Sequence, residues 1–130
     1  MNLKIDACLY CLGTFSDRYV PAGYQSKDSS KKGIEAIGKI KGITGVFTAY
    51  PSKILKNVDE YLSILSSNNL KVSNLSVINW DTKKWKFGAF SYDKKILRKQ
   101  TLELFKEGIE IAKYVKADSV LLWPAHDGFD

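Results

Sequence analysis

Between Lys4 and Trp123 the chain alternates four short apolar runs with three amphipathic stretches, and that alternation leaves few folds open. Lys4 to Leu12 places Ile5, Ala7, Leu9 and Cys11 on one set of alternate positions and Asp6, Cys8, Tyr10 and Leu12 on the other. Both faces are largely apolar, which suits a strand of a parallel sheet buried on both sides. Gly45 to Tyr50, ended by Pro51, reads as a second strand. LKVSNLSVIN, Leu70 to Asn79, reads as a third, and Ser119 to Leu122 as a fourth.

The stretches between them read as helices. Asp28, Ser29 and Ser30 offer caps for a helix to Lys41, with Ile34, Ile37 and Ile40 as its apolar stripe and Gly42 placed to stop it. Asn57 can cap a second helix, with Val58, Leu62 and Leu65 inward and Asn68-Asn69 at its end. Asp93 is a candidate cap for a long helix to about Lys116. Leu97, Thr101, Leu104, Gly108, Ile111, Ala112 and Val115 keep one face of it. Strands alternating with helices predict parallel pairing through right-handed crossovers. The expected fold is therefore α/β, with four parallel strands and three crossover helices. No linker or low-complexity segment divides residues 1–130, and the length suffices for one domain with a core.

The loops after the strands, residues 13–27, 51–57, 80–92 and 123–130, are long or rich in aromatics, and those after the helices are short. In α/β proteins ligands gather at the carboxyl ends of the strands. Asp17, Arg18, Tyr24, Trp80, Trp85, Phe90, Trp123, His126 and Asp127 are thus expected on one rim. All three tryptophans fall there, which favours a pocket wall. Each residue also has a plain structural explanation. Asp127-Gly128 is good turn chemistry, Asp17-Arg18 an ion pair within its loop, Asp93 a cap, and Arg98 a partner for a nearby carboxylate.

The net charge of +6 can mean nucleic acid or another anionic partner. The lysines are scattered, however, and read first as solvated helix faces, so nucleic acid is the lesser expectation. A third possibility is that the excess is one half of an unbalanced pair. Cys8 and Cys11 form a C-x-x-C. In a strand, positions i and i+3 face opposite ways, so the two are read as unrelated cysteines of a reducing compartment. No apolar stretch approaches the roughly 18 residues of a membrane span, and no signal-peptide pattern opens the chain. A cytoplasmic protein is expected.

Several motifs together resemble one family. LYCLGTFSDRY followed by AGY, ITGVFTAYP, KKWKFGAFSYD with Arg98 soon after, and VLLWPAHDGFD look like the first half of the xylose-isomerase-like TIM-barrel family. That family comprises sugar isomerases and epimerases. The most specific match is Trp123-Pro124, Asp127-Gly128 and Asp130. Ala125 and His126 stand where the family more often has Gly and Gln. A neutral His, like Gln, both donates and accepts, so hydrogen bonding to a sugar hydroxyl survives that change.

The resemblance implies the N-terminal half of a TIM barrel, since a whole one needs roughly 250 residues. It implies the N-terminal portion of a metal-dependent sugar isomerase or epimerase, with a sugar or sugar derivative as partner. Asp17, Arg18, Trp85, Phe90, Trp123, His126 and Asp127 would line the substrate pocket, His126 being the one catalytic candidate. In the full-length family a divalent metal such as Mn²⁺ or Mg²⁺ is held by residues of later strands, so none is expected on these residues alone. Isolated, they are expected to be inactive. Two alternatives stand beside this reading. One is a nucleic-acid-binding fragment like the apurinic endonucleases. The other is a non-enzymatic half-barrel that associates with itself through open strand edges, and for either half-barrel poor solubility, oligomerisation or marginal stability is expected.

Overall fold

The computed structural model describes residues 4–9, 13, 19–20, 22–24, 30–78, 83–85 and 87–123. Strand β1 is Ile5–Cys8, helix α1 Ser30–Gly38, β2 Ile43–Tyr50, α2 Val58–Ser67, β3 Lys71–Ile78, α3 Lys95–Tyr114 and β4 Ser119–Trp123. Short 3-10 turns at Lys53–Asn57 and Lys83–Trp85 follow β2 and β3. The four strands form one sheet in the order β1-β2-β3-β4, and every neighbouring pair is parallel. The α/β architecture expected from the alternation is therefore present, and its geometry is that of half a (βα) barrel.

The order has a consequence for where the helices lie. Ile34 and Ile37 of α1, Tyr61 and Leu65 of α2, and Phe105 and Ala112 of α3 share one buried cluster with Val46, Val72, Leu75 and Val77 of the sheet. All three helices thus cover one face. Buried Thr48 and Tyr61 join β2 to α2 through a 2.6 Å hydrogen bond between their hydroxyls. Gly108 lets α3 approach β3: a Cβ there would run into Val77 Cγ2 and lie 3.2 Å from its Cγ1 and 3.3 Å from Tyr50 Cδ1.

The opposite face carries no helix among the described residues, and its side chains are smaller and more polar. Alternation and pairing put Asp6, Cys8, Gly45, Phe47, Ala49, Asn74, Ser76, Ser119 and Leu121 on it. In β3 the register slips between Val46 and Phe47, so that Ser73 is an extra residue opposite β2. Its side chain turns to this polar face, where Ser73 Oγ donates to Asp6 Oδ2 at 2.7 Å and also lies 3.0 Å from the Val46 carbonyl. Asp6 and Ser73 stand two strands apart, a backbone separation of about 9–10 Å in a flat sheet. They meet because Gly45 between them has no side chain. A Cβ on it would sit 2.7 Å from Ser73 Cβ. The two side chains therefore lean together over β2, as they do on a sheet concave toward this face.

Several local expectations change. β1 ends at Cys8 rather than running on to Leu12, with residues 10–12 outside the described ones. Helix α1 stops at Gly38, not Lys41, so Ile40 is exposed rather than part of the buried stripe. Gly38 is a weak helix former, and its bare Cα lies against Asn68: a Cβ would come within 2.9 Å of Asn68 Cβ. Gly42, with φ +95°, serves the turn into β2 instead of the helix end. Asn57 does cap α2, accepting from the Glu60 amide at 3.3 Å. Asp93 does not cap α3, whose N-cap is Lys94 with no side-chain cap bond. Among the described residues Arg98 pairs with no carboxylate; its Nη1 donates to the Tyr92 and Asp93 carbonyls. Among the described residues no helix is long and apolar enough to cross a membrane.

Candidate functional site

Parallel strands deliver all their following loops to one end of a sheet. Here that end holds Tyr50 and Ser52 after β2, the Lys83–Trp85 turn and residues 87–94 after β3, and Trp123 at the tip of β4. The loop after β3 is bound to α3 at several points. Gly88, with φ +103°, turns back so that its amide donates to the Trp85 carbonyl at 3.0 Å. Buried Thr101 lies 3.3 Å from the Ala89 carbonyl through its Oγ1, which also donates to Leu97 one turn back. The Phe90 ring packs tilted against Phe105 with centroids 4.9 Å apart, and Arg98 holds the two carbonyls just before the helix.

Of the residues expected on this rim, Tyr24, Trp85 and Phe90 are fully described. Trp85 is only 8% exposed, and Lys84 Nζ lies 4.5 Å from the centroid of its ring. Its indole Nε1 is buried without a hydrogen-bond partner among the described residues. Phe90 is half-buried. Trp123 closes β4 opposite Ile78, which fixes its backbone on the helix-free face; its side chain lies outside the description. Asp17, Arg18, Trp80, His126 and Asp127 lie outside the described residues, and Tyr24 is exposed. Cys8 sits in β1, and Cys11 also lies outside.

The carboxyl end of β2 is tied to α3 as well. Tyr50 Oη donates to Glu107 Oε2 at 3.2 Å. Burial, then the charge and hydrogen bond of Glu107, raise the Tyr50 phenol above its ordinary range.

The concave face holds a polar group that the sequence reading did not single out. Asn74 Nδ2 donates to Ser119 Oγ at 2.8 Å, and Ser119 Oγ donates to the Ser73 carbonyl at 3.2 Å. With the Asp6–Ser73 bond this links β1, β3 and β4 across β2. Asn74 Oδ1 and Ser76 Oγ are buried and have no partner among the described residues, and Ser76 is 0% exposed. The available signal was the run VSNLS in an otherwise apolar strand, since buried polar side chains need partners. Among the described residues no three carboxylate, imidazole or thiol groups come together to hold a cation. The polar row offers hydroxyls and amides with a single carboxylate, a set suited to hydrogen bonding rather than to a divalent metal.

No protein-family model matches the chain, and no curated protein sequence matches it.

Proposed function

We propose that the chain supplies one wall of the substrate pocket of a sugar isomerase or epimerase of the (βα)-barrel type. The observation that carries this reading is the sheet order. Four parallel strands in sequence order, with every described helix on one face, leave the other face free of helices among the described residues, and parallel strands send their following loops to one end of it. This is how a barrel presents its pocket. The motifs around Trp85 and Trp123 supply the sugar class by resemblance.

In this reading the described residues bind and orient and carry no chemical step. The Phe90 ring, propped by Phe105, and Trp123 at the tip of β4 stack on the apolar face of a sugar. The unpartnered Trp85 Nε1 donates to a hydroxyl. Asp17, Arg18, His126 and Asp127 contribute polar contacts, with His126 the candidate for proton transfer. Aldose–ketose interconversion needs either cations that polarise the two oxygens or a carboxylate that moves a proton through an enediol. Among the described residues no donor set fits a divalent cation.

The test is titration of the 130-residue chain with aldopentoses, ketohexoses and a non-sugar polyol, followed by tryptophan fluorescence. Saturable changes with monosaccharides, weakened in Trp123→Ala and Phe90→Ala, support the reading. Ketose formation is assayed in parallel with Mn²⁺ present, and none is expected from these residues alone. Absence of any saturable sugar response, with or without Mn²⁺, refutes it. Retention of duplex DNA that weakens steeply with salt would instead favour the nucleic-acid alternative.

A further inference from the structure

The loop after β3 and the first turn of α3 hold most of the chain's excess charge. Between Ile78 and Arg98 stand Lys83, Lys84, Lys86, Lys94, Lys95 and Arg98 against Asp81 and Asp93. That leaves +4 on this one stretch, of +6 for the whole chain. The equivalent stretch after β2 is balanced, because Lys53 and Lys56 are followed by Asp59 and Glu60 in the first turn of α2. Helix α3 has no acid in its first turn, and Lys94 at its N-cap makes no side-chain cap bond. Cations at a helix N-terminus meet the positive end of the helix dipole, so this arrangement does not serve the stability of α3.

One of these cations is held in place. Lys84 is exposed, with Nζ 4.5 Å from the centroid of the Trp85 ring, and it has no carboxylate partner among the described residues. The ring beneath it is only 8% exposed and carries an unpartnered Nε1. Trp85 is fixed in turn by the 3.0 Å bond from the Gly88 amide to its carbonyl. A lysine on its flexible stem thus rests on a rigid support at the carboxyl end of the sheet.

The same turn folds back toward α3. The Phe87 and Tyr92 rings meet with centroids 6.1 Å apart, which brings the residues after Trp85 to those just ahead of Lys94. Lys94 and Lys95 are exposed and also lack a carboxylate partner among the described residues. Arg98, by contrast, is occupied by the Tyr92 and Asp93 carbonyls.

We propose that the sugar bound on this rim is a phosphate ester, and that Lys84, with Lys94 and Lys95, holds its phosphate. This rests on the sugar reading above and names the substrate class within it. A phosphomonoester carries about two negative charges at neutral pH and several strong acceptor oxygens. Ammonium groups bind such oxygens through charge-assisted hydrogen bonds, and a ligand of that charge offsets the repulsion among the lysines. The Trp85 indole, beside Lys84, takes the sugar portion.

The test uses two matched pairs of ligands, ribulose with ribulose 5-phosphate and fructose with fructose 6-phosphate, and inorganic phosphate as a fifth. Each is titrated into the 130-residue chain by calorimetry. At least one phosphorylated sugar is expected to bind about tenfold more tightly than its parent sugar. That preference is expected to shrink with added salt and to fall below about threefold in Lys84→Gln. Lys113→Gln, at the far end of α3, is expected to keep it. Free sugars that bind as tightly as their phosphates would overturn this inference and leave the sugar reading standing. Binding of no sugar in either form would sink both. Inorganic phosphate as tight as the sugar phosphates would overturn it too, since the sugar would then contribute nothing. A preference unchanged in Lys84→Gln would remove Lys84 from the site.

Discussion

Gly108→Ala is the sharpest single test of how α3 lies on the sheet. In an exposed helix interior this change stabilises by about 1 kcal/mol, because glycine is the poorer helix former. Here the added methyl would run into Val77 Cγ2, with Val77 Cγ1 at 3.2 Å and Tyr50 Cδ1 at 3.3 Å. Comfortable carbon–carbon contact needs about 3.5–4.0 Å. Val77 is fully buried and β-branched, so its side chain has no easy rotamer to retreat to. The helix must lift by about 1 Å, which loosens Thr101, Phe105 and Ala112 along the same face and stretches the 3.2 Å bond from Tyr50 to Glu107. Overpacking of this kind costs about 1–3 kcal/mol, and a clash against a rigid buried partner belongs at the upper end. After subtracting the helix gain, the net destabilisation is about 2 kcal/mol. For a chain of 130 residues that is a fall in Tm of about 6–10 °C. Urea unfolding followed by circular dichroism gives the same quantity as a lower midpoint at unchanged slope. A Gly108→Ala protein as stable as the parent, or more so, would refute this close approach of α3 to β3.

Three further outcomes follow from individual side chains. Burial pushes the Tyr61 phenol up to about 12, outweighing the opposing hydrogen bond from Thr48. The unfolded chain therefore ionises at Tyr61 near its ordinary 10.0 while the folded chain keeps the proton. This contribution is complete below pH 10 and is lost as pH rises from about 10 to 12, roughly 2–3 kcal/mol in all; denaturant midpoints of Tyr61→Phe should fall less steeply across that window, and parallel curves would contradict the assignment. Ser76→Ala removes a buried hydroxyl with no partner among the described residues and is expected to leave stability unchanged or raise it by about 1 kcal/mol. A loss of more than that in urea unfolding would show that the hydroxyl is satisfied. Ser73→Ala should cost about 1 kcal/mol by removing the bond to Asp6, and in a double-mutant cycle Asp6→Ala should add less in that background than alone; full additivity would mean the pair is not coupled.

The long helix was legible because twenty residues of α3 repeat one face many times, so its small residues Gly108 and Ala112 could be read as the contact with the sheet. Phe105, four residues after Thr101 and three before Gly108, is buried on that same face, and the spacing alone could have included it. Ile40 was misplaced for a different reason: its three-residue spacing from Ile37 continues a helical pattern past Gly38, where the helix stops at a weak helix former. The polar face of β3 was hidden by the slipped register. Ser73, as an extra residue, breaks the alternation that would have separated Ser73, Asn74 and Ser76 from Val72, Leu75 and Val77. Trp85 shows a further limit. Its place on the carboxyl-end loop follows from chain order, but its burial depends on how α3 grips that loop, which is a tertiary matter.

The two ends of the sheet carry different burdens. At the amino end, Asp6, Ser73, Ser119 and the Asn74 amide nitrogen spend their hydrogen bonds on one another and on backbone, so they join strands. The glycine that permits this, Gly45, is at the same level. At the carboxyl end the polar groups tied down belong to α3 and its loop: Thr101, Arg98 and Glu107 fix the carbonyls of Ala89, Tyr92 and Asp93 and the phenol of Tyr50. What these anchors leave uncommitted among the described residues is Trp85 Nε1 and Ser52 Oγ, both following a strand's carboxyl end, with Asn74 Oδ1 and Ser76 Oγ below them on the concave face. A pocket that reads hydroxyl groups needs such unspent donors and acceptors on rigid supports. Along the strands, the polar groups that join strands thus lie toward the amino end, and Trp85 Nε1 and Ser52 Oγ, without partners among the described residues, lie toward the end that carries Trp85 and Trp123.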